Sequence, residues 1–248
     1  MDSLSDKNPL LKQIRRAVSR GSLTEDGYAV AEGAHLFEEA VAAKREIGAV
    51  IVAESARVNY PDARVVSDKI FRELASTETP QGVIALVRPA VSTLDQMTRG
   101  EALVVVLDGV QDPGNAGAIV RAAEAFGASG AVFLKGTVNP YNPKCIRGSA
   151  GSVFRVPLIA CVEAEEILEH TEISWYAAMP RAQKLASEAD LAAPCGIIIG
   201  SEGRGISSAL AARAAALRIP TWGVESLNAA VAAGILLYEA RRQRGRSR

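Results

Sequence analysis

The apolar positions of the chain switch repeatedly between two periods. Over residues 9–20, Leu10, Leu11, Ile14 and Val18 recur at helical spacing with basic residues between them, which predicts an amphipathic helix. The run 28–31 reads as a short strand ended by Gly33. Residues 35–44 read as a helix with Leu36, Phe37, Ala40 and Val41 turned inward. Strands are predicted at 49–52, 64–66 and 83–87, with a helix at 68–75 between the last two. This alternation predicts a small α/β module over 1–89. The Pro, Ser, Thr and Gly residues that follow, with weak periodicity, read as a linker at 90–101.

A second module is predicted over 102–248. Val104-Val105-Val106-Leu107 is a continuous apolar run, as expected of a strand buried on both faces. It breaks at Asp108-Gly109. Asp112, Pro113, Gly114 and Asn115 then form a turn, and Ile119, Val120, Ala123 and Phe126 return to helical spacing. A buried strand feeding a turn and a helix is half of a parallel α/β unit, whose ligands bind beyond the carboxyl ends of the strands. Further strands are predicted at 131–134, 173–178 and 195–199, with another closing at Arg218-Ile219-Pro220. Residues 153–159 read as extended, 163–169 as a short helix and 227–240 as a long Ala-rich helix.

Composition narrows the chemistry. The 28 basic residues balance the 28 acidic ones, so no global field points to nucleic acid. Locally, Lys12, Arg15, Arg16 and Arg20 cluster near the start, and Arg241, Arg242, Arg244, Arg246 and Arg248 form a cationic tail. Either group could attract phosphate or be an ordinary solvated face. Cys145, Cys161 and Cys195 are isolated, which argues against a disulfide framework and a zinc site. The two histidines, His35 and His170, belong to separate predicted helices, the second directly after its helix, so a histidine triad or metal centre is not expected. No run reaches the ~18 apolar residues of a membrane span, and the polar start is no signal peptide. The expectation is a cytoplasmic protein without metal or membrane partner.

Three strand ends of the second module carry unusual residues: 112–115, 200–205 and 221–228. Gly200, Gly203 and Gly205 would let backbone come close to a ligand, or they could make a tight strand-to-helix connection. Neither G-x-x-x-x-G-K-[ST] nor G-x-G-x-x-G after the first strand is present. Glu202, at the tip of that loop, could meet a ligand or pair with Arg204. Ser226 is placed to cap the last helix, whose N-terminus could also receive a carboxylate or a polar cofactor edge. Arg121 could serve the crevice or pair on the surface with Glu124.

Taken together, DPGNAGAIVRAAEAFGASGAVFL, GIIIGSEGRGIS and IPTWGVESLNAAVAAGILLYEA resemble motifs one, two and three of the SpoU (TrmH) RNA ribose 2′-O-methyltransferases of the SPOUT superfamily. AVAEGAHLFEEAVAA and the strand after it are similar to the substrate-binding domain that often precedes this catalytic domain. The resemblance implies a trefoil-knotted parallel-sheet domain, bound S-adenosylmethionine and a homodimer with the site at the subunit interface. By the same resemblance Asn115, Arg121, Glu202, Ser226 and Asn228 are catalytic, and Ala178, Gly200, Ile219, Ser226, Leu227 and Asn228 hold the cofactor. The sequence departs from the pattern at Thr221, where an apolar residue is usual, and 219–226 looks one residue short. The basic residue often preceding the first-module strand is also replaced, by Thr24-Glu25-Asp26.

The reaction so implied moves a methyl group from a sulfonium to a ribose hydroxyl, whose proton must leave as the bond forms. Arg121 would stabilise the developing oxyanion. The family also assigns it as base, although arginine's pKa above ~12 makes it a poor one. RNA contacts are expected at the N-terminal basic helix, Lys144, Arg147 and the tail. Ribosomal RNA is the expected target. Transfer RNA, a non-catalytic RNA-binding scaffold and a nucleotide-dependent enzyme of ordinary topology are the competing readings.

Overall fold

The computed structural model describes residues 4–58 and 60–245. Helix α1 (Pro9–Arg20) starts where Asn8 Oδ1 accepts from the Leu10 amide and ends at Gly21 in the left-handed region. Its Leu11, Ile14 and Ala17 pack with Phe71 and Leu74. Strand β1 (Ala29–Glu32), α2 (Ala34–Ala42), β2 (Ile47–Ala53), β3 (Arg64–Val66), α3 (Asp68–Leu74) and β4 (Val83–Val87) complete the first module. The sheet order is β1-β4-β2-β3, with β4 antiparallel to both neighbours and β3 parallel to β2. Val41, expected inward, is half exposed, because Leu36 and Ala40 already fill the buried face of α2.

The stretch expected to be a plain linker contains α4 (Leu94–Met97), a single turn closed by a Thr93–Gln96 capping box. Met97 is buried, and its carbonyl accepts from Ser129 Oγ at 2.7 Å. This segment is therefore docked on the second module.

That module runs β5 (Leu103–Asp108), α5 (Pro113–Ala125), β6 (Gly130–Leu134), α6 (Pro143–Gly148), β7 (Leu158–Val162), α7 (Ala164–Leu168), β8 (Ser174–Ala178), β9 (Cys195–Gly200), α8 (Ser208–Ala211), β10 (Ala215–Leu217) and α9 (Ala229–Gly245). Its sheet, β10-β8-β9-β5-β6-β7, is parallel throughout. Strand β5 is central. Leu103, Val105 and Leu107 pack with Ile119 of α5 and Leu236 of α9, while Val104 and Val106 pack with Ile167 and Leu210 on the other face. Burial on both faces explains the uninterrupted apolar run. The expected extended stretch 153–159 is instead a 3-10 turn at Ser152–Phe154, with strand only from Leu158. There Val153 and Phe154 turn into the core shared by both modules.

The two modules meet along a continuous seam. Ala29, Ala31, Leu36, Ala40, Ala85 and Val87 share one apolar cluster with α5, α6 and Phe154. Around it, the Arg155 guanidinium binds Glu39 of α2 and Glu124 of α5, the latter through Nη2 at 3.0 Å. Arg45 Nε donates to the Phe154 carbonyl at 2.6 Å. Arg147 donates to Ser76 Oγ, which itself donates to buried Glu32 at 2.6 Å.

Candidate active site at the carboxyl ends of the parallel strands

Asp108 and Gly200 are register partners at the ends of β5 and β9, and Leu217 and Ala178 at the ends of β10 and β8. All four chain reversals therefore open on one edge of the sheet, where ligands of parallel sheets bind. Asp112 caps α5, its Oδ1 accepting from the Asn115 amide at 2.8 Å. That bond, with the Lys144 ammonium 3.6 Å away, holds the Asp112 carboxyl below its usual range.

Asn115 joins the three loops. Its Nδ2 donates to Glu202 Oε1 at 2.5 Å, and its Oδ1 accepts from Asn228 Nδ2 at 3.0 Å. Asn228 Oδ1 in turn accepts from the Ala230 and Val231 amides, so Asn228, and not Ser226, caps α9. Glu202 pairs with Asn115 rather than with Arg204. The glycine loop folds tightly on its strand: Ser201 and Gly205 exchange backbone hydrogen bonds. A Cβ on Gly200 would stand 2.3 Å from the Gly205 carbonyl carbon, so only glycine fits there.

Beside this network lies a cleft of about 180 Å³. Ala178, Gly200, Ile219, Ser226 and Leu227, five of the residues expected at the cofactor, line it, together with Glu202. Asn228 stands just outside, held to Asn115. Met179, Pro180, Leu217 and Glu225 also line the cleft and were not singled out from the sequence. The available signal was their position at the ends of β8 and β10 and in the loop before α9.

The lining suits S-adenosylmethionine. Ile199, Leu217, Ile219 and Leu227 offer an apolar wall for a flat base. Among the described residues, the backbone amides and carbonyls of Ile219, Ser226 and Leu227 make no hydrogen bond, which leaves them to read a ligand's polar edges. Thr221, at the apolar position of the motif, lines the cleft and directs its hydroxyl to the Val224 carbonyl at 3.0 Å.

Arg121 is placed elsewhere. Six residues beyond Asn115 on α5, it lies about 9 Å along the axis and roughly a third of a turn around it. It is exposed, does not line the cleft, and its side chain makes no hydrogen bond or ion pair among the described residues. The surface pair with Glu124 does not form, because Arg155 holds that carboxylate and keeps its pKa low.

The basic groups expected at RNA are largely engaged. Arg15 binds Asp6 and Glu73, and Arg16 binds Glu25. Lys144 faces Asp112 and Arg147 is at the seam. Arg242 binds Glu239, and Arg244 donates to the carbonyls of Glu101, Ala102, Leu191 and Ala193. Arg246 and Arg248 lie outside the described residues. The side chains of Lys12 and Arg20 make no hydrogen bond or ion pair among the described residues.

Residues 102–238 match the SpoU rRNA Methylase family, and residues 8–85 match the MRM3-like substrate binding domain. The chain is 34% identical to a protein of Synechocystis named as a tRNA/rRNA methyltransferase, over 96% of this chain and 93% of that one. It is 29% identical to the 23S rRNA (guanosine(2553)-2′-O)-methyltransferase RlmP of Bacillus subtilis, over 96% and 98%. The SpoU methyltransferase AviRb of Streptomyces viridochromogenes, solved with its cofactor AdoMet, superposes with a TM-score of 0.86 at 27% identity, covering 96% of this chain and 98% of that one.

Proposed function

The chain belongs to the SpoU rRNA methylase family, and we propose that it methylates a ribose of ribosomal RNA at the cleft where the three loops meet. It is an S-adenosylmethionine-dependent RNA 2′-O-methyltransferase of the α/β SPOUT fold. The choice of ribosomal RNA rests on relatives such as RlmP, named for 23S rRNA. In this reading residues 1–89 bind RNA, 90–101 connect, and 102–248 form the catalytic domain, with the segment after β10 threaded as a trefoil knot. The enzyme works in the cytoplasm. Among the described residues no helix is long and apolar enough to cross a membrane.

The observation that carries the site is the chain Glu202–Asn115–Asn228, which ties all three motifs to the rim of one cleft. Ala178, Gly200, Ile219, Ser226, Leu227 and Asn228 hold the cofactor, which when bound supplies an electrophilic methyl group on sulfur. Glu202, Asn115 and Asn228 fix the loop positions and orient the ribose, and Ser226 closes the rim. Arg121 would contact the 2′-oxygen and stabilise the negative charge that develops there as the O–C bond forms, the hydroxyl proton passing to water. Placing that oxygen in line with the methyl group supplies much of the rate.

Because Arg121 does not line the cleft of its own chain, a homodimer brings it there from a second copy. Val231, Ile235 and Tyr238 support this assembly as a half-exposed apolar stripe on one face of α9. Tyr238 packs edge-on against Phe126 just beyond α5, so the stripe adjoins the helix that carries Arg121.

The test is methyl transfer from labelled S-adenosylmethionine to transcribed 23S rRNA, with transfer RNA as comparison and nucleoside mass spectrometry as the readout. A ribose-methylated nucleoside from 23S rRNA is expected. Label found only in transfer RNA, or on a base, would overturn the assignment.

A further inference from the structure

Trp222 is 100% exposed, whereas the other tryptophan, Trp175, is 8% exposed and donates its indole N–H to the His170 carbonyl at 3.0 Å. A single exposed aromatic side chain is ordinary on a protein surface, but an indole held wholly in solvent at the rim of a ligand cleft leaves a large flat π-face free to receive what that cleft binds. Its place in the fold is specific. Trp222 stands in the loop between β10 and α9, whose Thr221, Glu225 and Ser226 line the cleft. Three features shape that loop: the Thr221 hydroxyl on the Val224 carbonyl, Gly223 at φ +78°, and Arg181 3.7 Å from Glu225. The indole is thus presented outward from the lip of the cleft.

We propose that Trp222 is the platform on which the base of the methylated nucleotide stacks, an inference that rests on the reading of the cleft as the RNA ribose site. A ribose oxygen can reach the cleft only if its nucleotide leaves the neighbouring stack, and the freed base then lies outside, at the lip. Splayed bases of RNA are received by aromatic side chains, because every base offers a π-face. A second copy of this chain is the less suitable occupant. Thr221, Gly223 and Glu225 share its loop, Arg181 stands 3.7 Å from Glu225, and Val224 is the loop's other exposed large apolar residue. The apolar stripe suited to self-association is on α9.

Full-length Trp222→Ala and Trp222→Phe proteins test this on transcribed 23S rRNA. The alanine variant should lose roughly ten- to hundredfold in kcat/KM for RNA, the range of one base–aromatic stack. The phenylalanine variant should stay within about threefold, since it keeps an aromatic face. Both should bind S-adenosylmethionine in calorimetry, and sediment, as the natural protein does. Unchanged kcat/KM in the alanine variant overturns the inference. So does lost cofactor affinity, which would put the indole on the cofactor, or a smaller sedimenting species, which would put it between copies. RNA should also quench the solvent-exposed tryptophan emission of the natural protein and not that of Trp222→Phe. This signal needs no turnover, so it survives if the assigned RNA methylation fails and disappears if the stacking contact fails.

Discussion

Arg121 and Glu124 lie within one turn of each other on α5, yet they meet opposite surroundings. Glu124 is at the seam, where Arg155 ties it to Glu39 of the first module. Around it Arg45, Arg147, Ser76 and Glu32 are likewise engaged. The Arg121 side chain has no partner among the described residues, and at the cleft it is proposed to serve from a second copy the backbone groups of Ile219, Ser226 and Leu227 are free. A buried or half-buried charge is tolerable only when paired, so the seam satisfies its polar groups internally. The cleft leaves its own unsatisfied for a ligand to complete. Substitutions at the seam should therefore be felt as stability, and substitutions at the cleft as activity.

The strongest test of this division is Arg121→Ala. Removing a group that faces a developing oxyanion costs about 10²–10³ in kcat, while thermal stability should stay within about 0.5 kcal/mol, as for an exposed side chain without partners. The homodimer adds a second readout. Co-expressing Arg121→Ala with Glu202→Gln should restore about a quarter of the activity, because half of randomly paired dimers then hold one site with both groups intact. No recovery in the mixture would place Arg121 and the cleft in the same copy. Equal loss of stability and activity in Arg121→Ala would dissolve the contrast between the two regions.

Next in size is Gly200→Ala. The added methyl group would meet Gly205 backbone atoms at 2.3 and 2.5 Å, forcing the glycine loop off the strand end. S-adenosylmethionine affinity should drop roughly ten- to hundredfold, the strain expected of overpacking. Gly203→Ala, whose Cβ meets nothing within 4 Å, is the control and should bind normally. Comparable losses in both would mean that loop flexibility, rather than close backbone approach, is what the glycines provide.

At the seam, Arg155→Ala leaves Glu39 and Glu124 facing each other without their cation. With the guanidinium about one-third exposed, the loss should be about 1–2 kcal/mol rather than the full cost of breaking a buried pair. That corresponds to a fall of roughly 2–8 °C in melting temperature for a chain of this size. Activity per folded molecule at 25 °C should be retained. Reduced kcat at unchanged stability would make the seam part of the catalytic apparatus.

What the sequence could reveal follows the same division. Continuous apolar runs such as Val104-Val105-Val106-Leu107 predict buried strands because burial on both faces leaves no polar alternation to read. α4, α8 and the 3-10 turns span too few residues to show a period. The start of α9 was misjudged by a local rule. Ser226 is an acceptable cap, but Asn228 takes both free amides while its side-chain N–H₂ reaches Asn115, 113 residues away. Long-range pairing of this kind has no local signature. The Arg155–Glu39 bond spans 116 residues and Asn115–Glu202 spans 87, so neither follows from periodicity. The resemblance to a known family put Asn115 and Glu202 in one site without giving the bond between them, and no such resemblance pointed to the first.

The smallest expected effect compares the acid responses of the two regions. Glu124 at the seam and Asp112 at the cleft both have lowered pKa values, the first chiefly from Arg155 and the second from the Asn115 amide. A carboxyl group with a depressed folded pKa contributes stability above its unfolded value and loses it as pH falls through the folded one. For Glu124 the contribution is complete above about pH 4.5, the unperturbed value, and fades below it. With the Glu124 side chain about one-third exposed, solvent screening should hold it under about 1 kcal/mol. Denaturant midpoints measured from pH 7 to pH 3 should therefore be level down to about pH 4.5 and then fall. Glu124→Gln should lower the midpoint at pH 7 and flatten the acid limb, so that its curve meets that of the natural protein at low pH. Asp112→Asn should flatten the limb less, because that cap is open to water and its cation, Lys144, stands 3.6 Å away with both side chains largely exposed. If Asp112→Asn has the larger effect, pH-dependent stability resides at the cleft, and the assignment of stability to the seam and activity to the cleft is wrong at this point.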